Sequence, residues 1–372
     1  MLIVLLLFAV PISFGLLVSE QGDNIANMPN AKQPENFMRR VTIVDVAKHA
    51  GVSTATASRV LRDAYGVSDA MKDRVQRSID ELGFRPSRPA RGMRGHTFTV
   101  GMLVSDIENP FFDLLFNGAK SVLGNKGYEI LVAPGGYSSA SQIETIYTLV
   151  DHQMDGMLLV APVLTQTQLA HIAEQVPVVT VGYQSSNNRV DSVAGDDLLA
   201  AELVVDHLVE LGHTHIAFIA NPRKPEDEGR PETVRLKGFV EAMRRRGLED
   251  SAAVINGVWS QSGGEEAARQ ILSMSKMPTA IHAGADVTAF GVLSELWRNG
   301  INIPSDISLV GHDNSQTSSI GPIALTTIDQ SGYAMGTRAA ELLLERIGGR
   351  NVVSSELTQP RLIVRGTTAK YC

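Results

Sequence analysis

Cysteine is almost absent from this 372-residue chain, where Cys372 stands alone. One thiol excludes an intramolecular disulfide framework, a cysteine-based zinc site and an internal cysteine nucleophile. Aromatic residues are sparse, at 5% with two tryptophans. The chain also lacks a G-x-G-x-x-G after the first strand of its large C-terminal region and a G-x-x-x-x-G-K-[ST] anywhere, so dinucleotide and P-loop readings fail. No serine sits in an elbow motif, no histidine pair has metal spacing and no carboxylate pair stands out. An enzyme is therefore not expected, and no cofactor or metal is called for. What remains is ordinary globular material: 44% hydrophobic, 20% charged, with a mean hydropathy of +0.02. That is enough chain for two or three folded units.

A net charge of −7 argues at first sight against a nucleic-acid partner, but the average hides an asymmetry. Arg39 to Gly95 holds 12 Lys/Arg against 6 Asp/Glu, whereas His96 to Cys372 holds 20 against 31. A compact basic block on a larger acidic body suggests a polyanion-binding head attached to a body with another task.

Residues 1–38 read as a leader and linker. Leu2 to Val18 is apolar apart from Pro11, Ser13 and Gly15, and Glu20 to Phe37 is polar and rich in Pro and Asn. No Lys or Arg precedes the apolar run and no small-x-small cleavage site follows it, both of which an export signal would want. Met38 stands directly before the basic block. The charge pattern favours translation starting at Met38, with a membrane anchor and an export signal as the open alternatives.

The basic block, residues 39–84, carries helix punctuation. Thr42 with Asp45 reads as a capping box, and Ile43, Val46, Ala47 and Ala50 recur at helical spacing. Gly51 follows, suited to the positive φ of a tight turn. Ser53 can cap a second helix with Ala57, Val60 and Leu61 as its apolar stripe. Two short helices about a glycine turn predict a DNA-binding helix-turn-helix. A third amphipathic helix over Ser68 to Leu82, packing Met71, Val75, Ile79 and Leu82 and ended by Gly83, would close the core.

D-V-A-x-x-A-G-V-S-x-x-T-x-S-R-V-L, continued by I-x-E-L-G-F-x-P, resembles the head of the lactose/galactose repressor (LacI/GalR) family of bacterial transcription regulators. The likeness runs from Val41 to about Thr368. It implies a second helix whose first residues enter the major groove, with Thr54, Ala55 and Arg59 at base edges. Arg59 can bind a guanine through two hydrogen bonds. Thr42, Ser53, Thr56 and Ser58 are short hydroxyls suited to phosphates, and Arg62, where the family commonly has Asn, adds a further phosphate contact. The segment R-P-S-R-P-A-R-G-M-R-G, within a hinge at 85–97, aligns with the family's hinge helix. There Ala90 and Arg91 match, and Met93 replaces the usual Leu as the wedge between base steps in the minor groove. Pro89 and Gly92 both weaken a helix, so a basic flexible linker is the other reading.

Beyond Gly95, near-continuous apolar runs alternate with amphipathic stretches. Strands are expected at 99–104, 128–133, 156–160, 176–181, 216–220, 279–283 and 307–311. This pattern predicts parallel sheets of βαβ units. Family landmarks recur in order, among them Asn109-Pro110-Phe111-Phe112, Leu211-Gly212-His213 and Gly311-His312-Asp313. The resemblance implies a small all-α head on an α/β two-lobed, periplasmic-binding-protein-like core, with helices on both faces of each sheet. The N-lobe would comprise about 98–195 and 329–350, and the C-lobe about 196–328 and 351–368. The chain would thus cross near Asp196, near Ile328 and around Arg350.

Ligand residues implied by the same alignment are Phe111 and Phe112 as ring-stacking walls and Trp259 as a second platform. Arg235 and Asp313 would hydrogen-bond sugar hydroxyls or a purine edge, with Asp196 and Asp286 as weaker candidates. Phe112 reads also as lobe core and Asp286 as a helix cap; His213 reads as a structural hydrogen-bonder. Ala285 and Gly182 depart from the Asn and Asp common in the family. The expectation is a cytoplasmic, nucleoid-associated homodimer on a pseudo-palindromic operator, repressing a carbohydrate-use operon until a small sugar-like inducer binds. A purine-type corepressor and, more remotely, an exported sugar-binding protein are the alternatives. No heptad tail follows the core, so a dimer is expected rather than a tail-linked tetramer.

Overall fold

The computed structural model describes residues 41–61, 66–85, 96–185, 189–221 and 229–371. The chain divides into two compact units, residues 1–86 and 87–372.

In the first unit the local punctuation acts as read. Helix α1 (Ile43–Ala50) opens on Thr42, whose Oγ1 accepts from Asp45 N at 3.4 Å while Asp45 Oδ2 accepts from Thr42 N at 2.9 Å. Gly51 ends it at φ 62°, a left-handed turn open to glycine without steric penalty. Helix α2 (Thr54–Leu61) begins after Ser53, whose Oγ accepts from Thr56 N at 3.1 Å. Helix α3 (Asp69–Leu82) closes a small core in which Val46, Ala57 and Val75 are fully buried.

The second unit holds two sheets of six strands each among the described residues. The first is built from β1 (Thr99–Val104), β2 (Glu129–Pro134), β3 (Gly156–Val160), β4 (Val178–Val181), β5 (Asp191–Gly195) and β11 (Ser355–Thr358). Its order is β11-β5-β4-β3-β1-β2, parallel throughout. The second is built from β6 (Ile216–Ala220), β7 (Ala252–Asn256), β8 (Ala280–Ala283), β9 (Ser308–His312), β10 (Thr326–Asp329) and β12 (Arg361–Ile363). It repeats that arrangement as β12-β10-β9-β8-β6-β7, except that the edge strand β12 is antiparallel to β10.

Helices cover both faces of each sheet. In the first lobe, α4 (Phe111–Leu123) and α11 (Gly332–Ile347) pack on one face, around Leu115, Met102 and Leu343. Helices α5 (Ser139–Asp151) and α6 (Gln166–Ala173) cover the other, around Ile146, Met157 and Leu169. In the second lobe α7 (Asp197–Glu210) and α8 (Pro231–Arg245) bury Val204, Phe218 and Phe239. Opposite them, α9 (Gln261–Leu272) and α10 (Asp286–Arg298) bury Ala267, Val292 and Leu309. One helix pair in each lobe meets at a glycine: a Cβ on Gly118 would lie 2.1 Å from Tyr333 O, and one on Gly291 would lie 2.0 Å from Gln261 O.

The chain crosses between lobes after Gly195, between Asp329 and Gly332, and between Thr358 and Arg361. The third crossing corrects the sequence expectation, which placed it around Arg350 and gave 351–368 to the C-lobe. Asp191, fully buried in β5, explains the difference. It accepts from Arg346 Nη2 and Ser354 N at 2.9 and 2.8 Å and pairs with Arg350. These bonds hold the segment on the first lobe until β11 has paired with β5.

Candidate nucleic-acid interface and interlobe ligand pocket

Helix α2 turns Ala57 inward and leaves Thr54, Ala55 and Arg59 exposed, so the three side chains read as base contacts lie on its outer surface. Among the hydroxyls expected at phosphates, Thr42 and Ser53 already cap helices; Thr42 Oγ1 donates to Asp45 Oδ2 at 2.7 Å, and Ser53 and Thr56 share a hydrogen bond of 2.8 Å. Ser58 is partly buried. Arg62, Ala90, Arg91 and Met93 lie outside the described residues.

Between the lobes of the second unit is a cavity of about 340 Å³. It lies past the carboxyl ends of the strands, where Ser105 follows β1, Ala161 follows β3 and Gly182 follows β4. Asn221, Val258, Ala285, Asp313 and Gln330 stand correspondingly beyond β6, β7, β8, β9 and β10. This is where open α/β sheets generally bind ligands. Of the residues singled out in the sequence, Phe111, Phe112, Arg235, Trp259 and Asp313 line it together, as do Gly182 and Ala285.

The C-lobe floor is a hydrogen-bonded network. Arg235 Nε donates to Asp197 Oδ1 at 2.7 Å, Nη1 to Gly284 O at 2.6 Å and Nη2 to Gln330 Oε1 at 3.0 Å. Its guanidinium carbon stands 4.8 Å from the Trp259 ring centroid, a cation–π distance. Trp259 Nε1 donates to Ile219 O at 3.2 Å, which fixes the indole and leaves its apolar surface for packing. Gln330 Nε2 donates in turn to Asp313 Oδ1 at 2.7 Å. Asp313 sits at φ 128°, a strained backbone for any side chain, and its Oδ2 is buried without a hydrogen-bond partner among the described residues. Burial pushes its carboxyl well above the usual range, and the Arg235 charge opposes that rise.

Beneath the floor lie two fully buried imidazoles, His282 and His312, with ring centroids 6.1 Å apart and planes at 14°. His312 Nε2 stands 3.6 Å from Asp197 Oδ1, too far for a hydrogen bond. Neither ring nitrogen of His282 has a partner among the described residues. Burial, followed by the Arg235 charge, pushes His282 down to about 3.

Asp196 and Asp286 are not brought to the cavity, which corrects both expectations. Asp196 caps α7, accepting from Leu199 N at 3.1 Å. Asp286 is saturated inside the C-lobe: Oδ2 accepts from Ser315 N at 2.8 Å and Ser315 Oγ at 2.9 Å, while Oδ1 accepts from Thr327 Oγ1 at 2.5 Å. His213 is structural, bonded to Thr279 Oγ1 and Ala369 O. The lining also holds residues that sequence reading passed over: Asp106, Asn109, Tyr137, Arg230, Glu232 and Gln330. Asn109 stood inside a quoted landmark, and its Oδ1 accepts from Phe111 N at 3.0 Å. The others carried no local signal.

Comparison with known proteins agrees with both halves. Residues 42–87 match the bacterial regulatory proteins of the lacI family, and residues 205–368 match a periplasmic binding protein-like domain. The HTH-type transcriptional repressor CytR of Escherichia coli (strain K12) is 35% identical over 333 residues, covering 88% of this chain and 96% of that one. The ribose operon repressor of the same strain is 31% identical over 331 residues, covering 88% and 99%. The lac repressor dimer, solved on its operator with the anti-inducer ONPF, superposes with a TM-score of 0.73 at 27% identity, covering 89% of this chain and 100% of that one. The basic helix-turn-helix head and the two-lobed core with a cavity at its strand ends thus belong to one scheme: the chain is a member of the lacI family of bacterial regulatory proteins, a DNA-binding transcription regulator and not an enzyme.

Proposed function

We propose that this regulator represses a carbohydrate-use operon in the cytoplasm, at the nucleoid, and is released when a small sugar-like molecule binds between its lobes. The observation that carries the reading is the cavity itself, which joins Phe111 and Phe112 of one lobe to Trp259, Arg235 and Asp313 of the other. A ligand touching both lobes favours the lobe arrangement that it fits best, and it shifts DNA affinity only by its difference in affinity for the two states. Relatives solved with cellobiose and with ribose support a sugar-like ligand.

Two copies are proposed to act together on a pseudo-palindromic operator, since a two-fold dimer reads a two-fold site. On DNA, Thr54, Ala55 and Arg59 read base edges, and Thr42, Ser53, Thr56, Ser58 and Arg62 contact phosphates. Ala90, Arg91 and Met93 act in the minor groove. Replacing Arg59 with Ala tests this assignment: preference for operator over random DNA is lost, and weak, salt-sensitive binding remains. Equal losses on both DNAs would reduce Arg59 to a phosphate contact.

A further inference from the structure

We infer that Asp155 is a positioning residue that fixes where the chain from the head enters the core, and through it the spacing of two heads on DNA. The inference rests on the two-fold operator reading above and adds to it a residue outside both the head and the ligand cavity. The head is joined to the core by the chain that precedes β1, and one carboxylate grips the last residues of that stretch. Asp155 stands directly before β3, the strand beside β1. Its Oδ1 accepts from Thr97 N at 2.7 Å and its Oδ2 from Phe98 N at 3.0 Å. The Thr97 hydroxyl lies 2.8 Å from Gln153 O and 2.9 Å from Asp155 Oδ1, so it donates to one or other acceptor on the same turn. His96 Nδ1 stands 3.3 Å from Asp155 Oδ2.

The backbone bends sharply under this grip. Phe98 sits at φ 52°, a left-handed conformation that a residue with a side chain keeps only where its surroundings over-determine it. Asp155 holds its N–H, Glu129 N donates to its carbonyl at 2.9 Å, and its ring meets Tyr128 at 5.2 Å between centroids. The direction of the chain before β1 is therefore set by tertiary bonds.

The other lobe supplies the control. In the matching sheet β8 pairs with β6 as β3 does with β1, which puts Thr279 where Asp155 stands and His213 where Thr97 stands. There the strand is steered by the helix before it, since His213 N donates to Leu208 O of α7 at 3.0 Å. Thr279 contributes a neutral hydroxyl, 3.0 Å from His213 Nδ1 and 3.3 Å from His215 O. In the lobe whose first strand follows the head, a carboxylate takes over the amide that the preceding helix holds in the other. An ionised acceptor makes the stronger hydrogen bond.

The test is half-site spacing, read by fluorescence anisotropy of the full chain on labelled duplexes. The probe is the duplex that wild type selects from a random pool, alongside a version with two extra base pairs at its centre. Two anchored heads cannot follow their half-sites apart, so wild type is expected to lose about 100-fold on the longer duplex. Asp155→Asn keeps the size and gives up the charge and one acceptor, and is expected to cut that penalty about tenfold. Thr97→Val removes only the hydroxyl and should cut it about threefold. Arg346→Ala, which loosens the same lobe away from this junction, should keep the wild-type penalty. Should Asp155→Asn not fold, Thr97→Val decides. A penalty unchanged in the junction variants, or cut equally by Arg346→Ala, overturns the positioning role. A wild type that tolerates the insertion also overturns it and leaves the two-fold reading standing. A selected duplex without a two-fold repeat overturns that reading, and this inference with it.

Discussion

The two lobes share one strand order and differ in what they bury. Both run six strands in the same spatial sequence, and both bring a helix pair together at a glycine. Yet the buried charges of the N-lobe gather around Asp191, which holds down the chain on its way to β11. In the C-lobe Asp286 is buried away from the ligand cavity, but Arg235, Asp197 and Asp313 gather directly under it, with His282 and His312 beneath. One lobe uses buried charge to fix its topology and contributes aromatic walls. The other places strained and incompletely bonded groups where a ligand can complete them, as recognition sites do. A shared fold therefore does not imply shared work, and each prediction below presses on that contrast.

The largest effect is expected from removing one arginine in each lobe. Arg235→Ala leaves Asp197 as a buried charge without its guanidinium, a loss of about 3–5 kcal/mol. Arg346→Ala leaves Asp191 still bonded to Arg350 and Ser354 N, so about 1.5–3 kcal/mol is expected from the lost charged hydrogen bonds. Urea unfolding of the two full-length variants gives the ranking, and equal losses would erase the contrast.

Where the lobes are alike, matched changes should hurt alike. Gly118→Ala and Gly291→Ala each drive a methyl into a backbone carbonyl of the crossing helix, which cannot swing aside as a side chain would. Overpacking of this kind costs about 1–3 kcal/mol. A large difference between the two melting temperatures would show that one helix pair yields where the other does not.

How much of this was legible in the sequence depends on how local the signal was. The head could be read almost in full, since Thr42, Asp45, Gly51 and Ser53 act on residues within three or four positions. The aromatic walls and Arg235 came from motif resemblance. Gln330 could not be found that way: it bonds Arg235 and Asp313, 95 and 17 residues away, and its role exists only once both strands have closed. His282 was hidden inside a run that read simply as an apolar strand, and His312 stood in the landmark Gly311-His312-Asp313, which gave no sign of its burial beneath the cavity. Asp196 and Asp286 failed for the opposite reason, because their oxygens were already taken by Leu199 N and by Ser315 and Thr327. A carboxylate in a familiar motif is no guide to whether it is free.

The histidine layer should show itself in acid. His282 is pushed down to about 3 by burial and Arg235, so the folded chain resists a proton that the unfolded chain accepts below about 6.5. The stability it contributes is complete above that value and drains away as pH falls toward 3. The slope approaches about 1.4 kcal/mol per pH unit. Around it stand His312, whose pKa is lowered too, Arg235 and, by way of His312, Asp197. Asp286, raised to about 6, acts in the opposite direction between about 4 and 6, so the informative quantity is a difference. His282→Phe, compared with wild type at pH 7.5, 6.5 and 5.5, should gain relative stability at each step down. A gap that stays constant would mean that His282 takes up its proton in the folded state.

The smallest effect concerns Asp196, at the first crossing between the lobes. It caps α7 through a single bond to Leu199 N and does not line the cavity. Asp196→Ala should therefore cost about 1 kcal/mol, the usual loss for a helix cap. Its neighbour Asp197 differs, since its carboxylate holds Arg235 in place beneath Trp259. Asp197→Asn should weaken binding of any ligand that stabilises wild type, while Asp196→Ala should leave that affinity within twofold. Calorimetry on both variants separates a structural cap from a support of the ligand floor one residue away. If the affinity falls equally in both, the distinction fails, and the crossing itself must be sensing the ligand.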